Sequence, residues 1–311
     1  ELNFTASGEL DNGFTWTYHT ELDPADGGAA SNDDTAIVIG MGDLGTIGLY
    51  DAEGGLSTEL GWGIGAMGVG ADYANTMTNI GRGYDVSSDP HVSYTTAAGM
   101  LPFGIQVAAG FAPNVADGQS NSYKAGGAQV DAAAAGTNAT QYKITASPID
   151  GLKIGGDYYE TGGHKLSTVS QDKTGGNVYA QYAMGNFKVG YTKGKLEPAK
   201  TTNKYRANVA DTATALNGAQ YESDGYGIEF AVNDQLSISF TEEDFSRTNK
   251  TMAATASTNT RSTVTSSQTT IMAAYNIGGA TIGLSLIDTD NSDYTDSRDE
   301  TKSILSLALA F

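Results

Sequence analysis

Apolar and polar residues alternate with a period of two from the start of the chain. One apolar series in residues 2–10 consists of Leu2, Phe4, Ala6, Gly8 and Leu10. After turn residues at 11–13, the alternation resumes with Phe14, Trp16 and Tyr18. Successive side chains of a β-strand point to opposite faces, so this period indicates two strands. The start of the chain therefore predicts a β-hairpin with one apolar face.

The same pattern recurs to the end of the chain. Further period-two runs are separated by short turn sequences: SPID at 147–150, GN at 185–186, ND at 233–234 and GG at 278–279. Turn residues between two alternating runs are typical of tightly connected antiparallel strands. About fifteen such runs can be counted from this periodicity. The chain is therefore predicted to be all-β.

Short turns alternate with long polar connections. The long ones run near residues 22–34, 51–90, 112–138, 160–175, 196–220, 246–265 and 289–300. A soluble sandwich gives no reason for every second connection to be long. An outer-membrane barrel does, because its periplasmic turns are short and its extracellular loops are long. This favours a transmembrane antiparallel β-barrel, with residues 1–311 as one domain.

The strand count also carries an expectation about size. Single-chain bacterial barrels have an even number of strands with both termini on the periplasmic side. We therefore expect sixteen strands, with one strand ahead of Glu1. A barrel of this size encloses a water-filled channel rather than a packed interior.

Composition and charge exclude several functions. The chain carries 36 acidic and 17 basic residues, a net charge of −19, which argues against nucleic acid as a partner and is compatible with attracting cations. It has no cysteine, which removes disulfides and thiolate chemistry. Its three histidines, at 19, 91 and 164, form no recognisable catalytic or metal-binding spacing. We predict that it is not an enzyme.

Three segments carry a resemblance to a known family. They are NFTASGELDNG at 3–13, GDLGTIGLYDAEGG at 42–55 and the alternating C-terminal strand that ends in Phe311. Together with the sixteen-strand pattern, they resemble the general diffusion porins of the Gram-negative outer membrane, in particular those of alphaproteobacterial type. The resemblance implies a homotrimer that passively conducts ions and small hydrophilic solutes. It also implies that residues 51–90, as the third extracellular loop, fold into the pore.

The resemblance extends to biogenesis and surroundings. Barrel-assembly machinery recognises an alternating C-terminal strand on outer-membrane proteins, and the corresponding residues here are Leu305, Leu307, Leu309 and Phe311. Lipid and lipopolysaccharide are the expected environment. Aromatic residues at predicted strand ends are typical of the girdles that barrels place at headgroup level. These residues are Phe14, Trp16, Tyr18, Tyr94, Phe103, Phe111, Tyr158, Phe187, Tyr191 and Phe240.

The presumed inward loop is acidic. Its carboxylates are Asp51, Glu53, Glu59, Asp72, Asp85 and Asp89, against the single basic residue Arg82. In the porin family such carboxylates face a basic cluster across the constriction. Strand parity points Lys143, Lys153 and Lys188 inward, with His19 and His91 as lesser candidates. Because this basic set is thin, the sequence favours a cation-preferring channel, although the same acids would also suit a plain solvated loop.

A second acidic run, DTDNSDYTDSRDE, occupies 288–300. Asp288 and Asp290 have the spacing of a calcium loop, but Asp293 stands where the sharp turn of such a loop requires glycine. A loosely bound Ca²⁺ on an extracellular loop and an ordinary exposed acidic loop both remain open. No other cofactor is predicted.

Two alternatives to a general porin remain open at this point. One is a substrate-specific outer-membrane channel of the same fold, which would differ by a saturable site among scattered pore-lining side chains. The other is a soluble secreted β-rich adhesin or surface-layer protein, which leaves the alternating connection lengths unexplained. The run TAIVIGMG at 35–42 is apolar on both faces, as a strand buried between protomers would be.

Overall fold

Strands make up nearly all the regular structure of the protein. A computed structural model describes residues 2–24, 30–51, 53–66, 84–115, 137–162, 169–171, 173–197, 200–201, 216–252 and 259–309. No helix in this part of the chain is both long enough and apolar enough to cross a membrane. The only helical turns among the described residues are 3-10 turns at Gly42–Leu44, Val86–Ser88, Pro102–Gly104 and Ser292–Tyr294.

Fifteen strands form one antiparallel sheet, and each pairs with the next in chain order. The first eight are β1 Leu2–Glu9, β2 Thr15–Pro24, β3 Ala30–Gly40, β4 Thr46–Tyr50, β5 His91–Thr95, β6 Gln106–Val115, β7 Thr137–Ala146 and β8 Leu152–Gly162. The other seven are β10 Thr174–Met184, β11 Phe187–Glu197, β13 Leu216–Ala231, β14 Leu236–Met252, β15 Asn259–Ile277, β16 Ala280–Asp290 and β17 Glu300–Leu309. Two short strands, β9 Val169–Gln171 and β12 Lys200–Thr201, pair separately. The all-β fold and the count of fifteen visible strands are confirmed.

The polarity of the sheet is the reverse of that of a soluble protein. On β16, Leu284 and Leu286 are 41% and 44% exposed, whereas Ser285 and Thr289, which point to the other face, are 0% exposed. The same division holds on β14, where Phe240 is exposed and Thr241 is buried. We call the apolar exposed face the outer face and the polar protected face the inner face. A two-layer sandwich would bury its apolar face, so this alternative is wrong.

Tyrosines mark the level at which the outer face changes from apolar to charged. The hydroxyls of Tyr158, Tyr191 and Tyr226 donate hydrogen bonds to carboxylates of the same face, two residues along the strand for Tyr158 and on the neighbouring strand for the other two. These carboxylates belong to Glu160, Asp224 and Glu242. Amphipathic rings with one apolar and one wet end suit the edge of a bilayer, in keeping with the predicted girdle.

The longest strands continue past this level. β13, β14 and β15 have 16, 17 and 19 residues, whereas a membrane-crossing strand needs only about 9–11. The prediction of a long loop over 246–265 is therefore wrong in extent, because most of it extends the ladder between β14 and β15. Hydroxyl pairs hold this extension, with Ser246 bonded to Thr265 and Thr248 to Thr263, each at 2.8 Å.

Placing a charge on the outer face is expected to destabilise the folded protein in a bilayer. For Leu284→Arg we expect a loss of about 2–4 kcal/mol if this position lies near the bilayer midplane, because the guanidinium would displace apolar contact with lipid. The matched control is Ser306→Arg on the adjacent strand, where the side chain points to the inner face and stays in water. The measurement is urea-induced unfolding in lipid vesicles. Equal effects of the two variants would contradict the assignment of the faces.

Candidate functional site

Residues 53–66, which we call the inner segment, lie against the inner face of the sheet. They follow β4 and contact side chains of strands far along the chain. The backbone N–H and the hydroxyl of Thr58 both donate to Oδ1 of Asp157 on β8, at 2.7 and 2.6 Å. The backbone N–H of Ala66 donates to the Ser239 hydroxyl on β14 at 2.8 Å. The inner segment therefore crosses the inner face from β4 towards β14.

Asp157 is the most heavily hydrogen-bonded side chain of this contact. It is 9% exposed. Besides the two bonds from Thr58, its oxygens accept from Gln141 Nε2 at 3.2 Å and from Asn177 Nδ2 at 3.4 Å. A buried carboxylate is tolerated only where such donors replace water. Asp157 thus ties the inner segment to three adjacent strands.

A lysine and a glutamate hold the far half of the inner segment. Lys188 Nζ donates to the carbonyl oxygen of Gly63 at 3.0 Å and lies 2.8 Å from Glu229 Oε2. The same carboxylate oxygen accepts the N–H of Gly65 at 3.2 Å. Lys188 and Glu229 face each other directly across β11 and β13. This ion pair therefore binds both a carbonyl and an N–H of the inner segment.

Glycines on the sheet allow the inner segment to approach closely. A Cβ added to Gly190 would lie 2.6 Å from Ile64, and one added to Gly227 would lie 2.8 Å from the same side chain. Ile64 and Trp62 are 0% exposed. Gly63, at φ 58°, forms the bend between them. The glycines make room for an apolar wedge against an otherwise polar wall.

Residues 84–90, the return of the same connection, are tied to the inner segment. Asp85 accepts the N–H of Leu56 at 3.0 Å and that of Ser57 at 2.7 Å. The N–H of Val86 donates to the side-chain oxygen of Gln141 at 2.9 Å. Leu56 and Val86 pack over Gly110 of β6, where a Cβ would come within 3.1 Å of both.

The structure places four of the six predicted acids at or near these two segments. Asp85 binds backbone N–H groups, and Asp89 is 3% exposed beside them. Glu59 is partly buried on the inner segment. Glu53 lies 3.7 Å from Nε2 of His19. A direct role of these acids in attracting ions stays a prediction.

The other two predicted acids and the predicted cations lie at different distances from the inner segment, and some lie outside the described residues. Asp51 is exposed, and Asp72 and Arg82 lie outside the described residues. Lys188 is bound to Glu229, so it reaches the inner face but not as a free charge. Lys153 is exposed, and Lys143 borders a cavity. The structure thus bonds Lys188 to the inner segment, places Lys143 in a cavity that residues 54–56 of this segment also line, and leaves Lys153 exposed.

The acidic run and the C-terminal residues lie elsewhere. Asp288 and Asp290 are exposed at the end of β16, and Asp288 accepts a hydrogen bond from the Thr301 hydroxyl. Asp293 lies in the 3-10 turn that follows. No group of three or more acidic or histidine side chains that could hold a metal occurs among the described residues. Leu305, Leu307 and Leu309 are exposed on the outer face, and Phe311 lies outside the described part.

Sequence reasoning missed Asp157, Glu229 and Ser239. Strand alternation does point all three to the inner face, and that signal was present. Their partners lie 99 to 173 residues away in the sequence, and no local pattern reports such contacts.

Comparison with known proteins shows the fold. No known family pattern and no curated protein matches the sequence. Among solved structures, an anion-selective porin from Comamonas acidovorans matches with a TM-score of 0.60 and 14% identity, covering 99% of this chain and 88% of that one. A structure described as porin matches with a TM-score of 0.56 and 16% identity, covering 99% of this chain and 91% of that one. OmpT, an outer membrane protein of Vibrio cholerae, matches with a TM-score of 0.59 and 11% identity, covering 98% of this chain and 85% of that one. The chain shares the barrel fold of these proteins.

Proposed function

We propose that this protein is a channel of the Gram-negative outer membrane through which ions and small hydrophilic solutes diffuse passively. The observation that carries the proposal is the inverted polarity of the sheet, apolar where exposed and polar where protected. A lipid-facing surface and a water-lined interior require this arrangement, and a closed barrel leaves no unpaired backbone in hydrocarbon. The fold shared with porins supports the proposal.

The inner segment forms the constriction of this channel. It crosses the inner face from β4 to β14 and is held at Asp157, at the Lys188–Glu229 pair and at Ser239. Anchors on several strands would keep a loop from being displaced by the flow of solute. Size selection then depends on how far the inner segment projects from the wall.

The channel prefers cations. The net charge of the chain is −19, and Lys188, which is hydrogen-bonded to the inner segment, is offset by Glu229. Rings of carboxylates in a narrow wet pore concentrate cations and repel anions. The thin basic set of the inner face therefore leaves a net negative field.

The protein assembles as a homotrimer through the face formed by β3–β6. β4 and β5 have only five residues each, about half of what a lipid-facing strand needs. An apolar groove on this face has a volume of about 590 Å³ and is lined by Ile37, Leu49, Val92 and Phe111, among others. A second copy would cover both the groove and the short strands. One OmpT structure that shares the fold is described as a trimer form.

The proposal is tested by ion selectivity and solute flux. In a planar bilayer under a KCl gradient, we expect a reversal potential of the sign given by K⁺ permeating faster than Cl⁻. In vesicles, uptake of neutral sugars should fall with sugar size, because the inner segment would set the width of the pore. A reversal potential of the opposite sign would refute cation preference, and absence of both conduction and uptake would refute the channel.

A further inference from the structure

A cavity of about 190 Å³ lies on the inner face beside the first residues of the inner segment. Its lining combines one ammonium group with hydroxyls and an amide, on Lys143, Tyr50, Ser93, Thr95, Gln106 and Thr145. Gly54, Gly55 and Leu56 of the inner segment close one side. The Tyr50 ring is stacked on His91, with centroids 5.1 Å apart, which fixes that wall. Among the described residues that line the cavity, none carries a carboxylate.

Lys143 has a carboxylate opposite it in the sheet but does not pair with it. Asp157 is its direct partner in the register of β7 and β8. The oxygens of Asp157 are instead taken by Thr58, Gln141 and Asn177. Among the residues that the structure describes, Lys143 forms no ion pair and no hydrogen bond. Its ammonium is therefore available to a solute.

Several other cations of the described residues are paired, although Lys153 on β8 is not. Lys188 pairs with Glu229 and Lys193 with Asp224, while Lys195 pairs with Glu197 and Arg298 with Glu300. Lys143 differs from these paired cations because it lines a cavity and has no carboxylate partner among the described residues. Such a group is a candidate for binding a ligand of opposite charge.

We propose that the Lys143 cavity binds the carboxylate of a small hydroxylated organic acid. The ammonium would donate a charge-assisted hydrogen bond to the carboxylate. The hydroxyls of Ser93, Thr95 and Thr145 and the amide of Gln106 would bond the hydroxyl groups of the solute. The volume equals about six water molecules at about 30 Å³ each, which suits an acid of three or four carbons. This inference rests on the proposed channel function and names a class of solute for it.

Binding at this cavity gives the channel a saturable component. Cations would pass by the general negative field, whereas a hydroxy acid would dwell at Lys143 and cross by a binding step. At high concentration the occupied cavity should reduce the ion current, because it lies beside the constriction. A purely diffusive pore shows no such saturation.

The test uses glycerate as the probe, with glycerol as the uncharged match, added to single channels of the full-length protein in KCl. Glycerate should reduce the wild-type current saturably, and glycerol should not. Lys143→Met keeps the stem and removes the charge, and should raise the half-saturating concentration at least about tenfold, the value of one charge-assisted hydrogen bond. Lys143→Arg should retain saturation. The control is Lys153→Met, which removes an inward charge on the next strand and should leave the half-saturating concentration unchanged.

The outcomes separate this inference from the proposed function. Channels that conduct KCl without saturable block by glycerate would refute the Lys143 site and leave the channel function intact. Block by glycerol equal to that by glycerate would also refute the site, because solute size would then explain the block. An equal rise of the half-saturating concentration in Lys153→Met would refute it too, because the general charge of the pore would then explain the change. Absence of any conduction would refute the channel itself.

Discussion

Asp157→Ala is expected to release the near half of the inner segment and to widen the channel. The change removes the acceptor of both Thr58 bonds and leaves Gln141 and Asn177 each without one of their acceptors. Buried donors without partners should cost about 2–4 kcal/mol of folding free energy. Single-channel conductance should rise and its fluctuations should increase. The folding free energy is measured by denaturant unfolding of the detergent-folded protein. The conductance and its fluctuations are measured in a planar bilayer.

Asp157→Asn provides a graded comparison. Asparagine keeps one oxygen for Thr58 but turns an NH₂ group towards Gln141 Nε2, which is also a donor. Gln141 could flip its amide only by giving up the bond from the Val86 N–H. We therefore expect an intermediate conductance. The control is Asp224→Ala, which removes a carboxylate from the outer face. A conductance rise in this control as large as that in Asp157→Ala would contradict the role of Asp157.

Removing either member of the Lys188–Glu229 pair is expected to change selectivity in opposite directions. Lys188→Met leaves the Glu229 carboxylate uncompensated beside Gly65, so cation preference should increase. Glu229→Gln leaves the ammonium uncompensated, so cation preference should decrease. A unit charge about 5 Å from the ion path changes the ion energy by about 0.8 kcal/mol in water, or about fourfold in local concentration before screening by salt. Reversal potentials at low salt measure this change.

Stability should respond weakly to the same substitutions. The two side chains are 29% and 20% exposed, and such partly solvated pairs contribute about 1 kcal/mol or less. The double variant Lys188→Met/Glu229→Gln should restore selectivity close to that of the wild type. Changes of the same sign in both single variants would show that the ion pair does not face the ion path.

Local alternation was enough to predict the sheet. On β16 and β17 each residue's face follows from its position in a period-two run, and the turns between strands carry glycine or asparagine. The prediction of a loop over 246–265 was wrong because serine, threonine and asparagine are typical of loops and dominate this stretch. In the structure their hydroxyls bond across the ladder, as Ser246 does with Thr265. Composition alone does not distinguish a polar loop from a polar strand beyond the membrane.

The site could be predicted only in part, for a different reason. Strand parity predicts that Lys188 points to the inner face, and in the structure its ammonium group bonds to the inner segment on that face. Its partner Glu229 was missed because β11 and β13 are joined by a long connection, so no tight turn fixes their register in the sequence. The Thr58–Asp157 contact spans 99 residues. Such contacts form only when a loop packs against strands that are distant in the sequence. They therefore depend on tertiary structure and not on local sequence.

If residues 53–66 narrow a water-filled pore, releasing them should change its single-channel conductance. Wild-type protein and Asp157→Ala should be compared in the same planar bilayer at the same salt concentration. We predict discrete steps with a linear current–voltage relation for both proteins, and a larger step for the variant. Folded, detergent-extracted protein that gives no steps would contradict the channel, and equal steps for the two proteins would contradict the placement of the constriction.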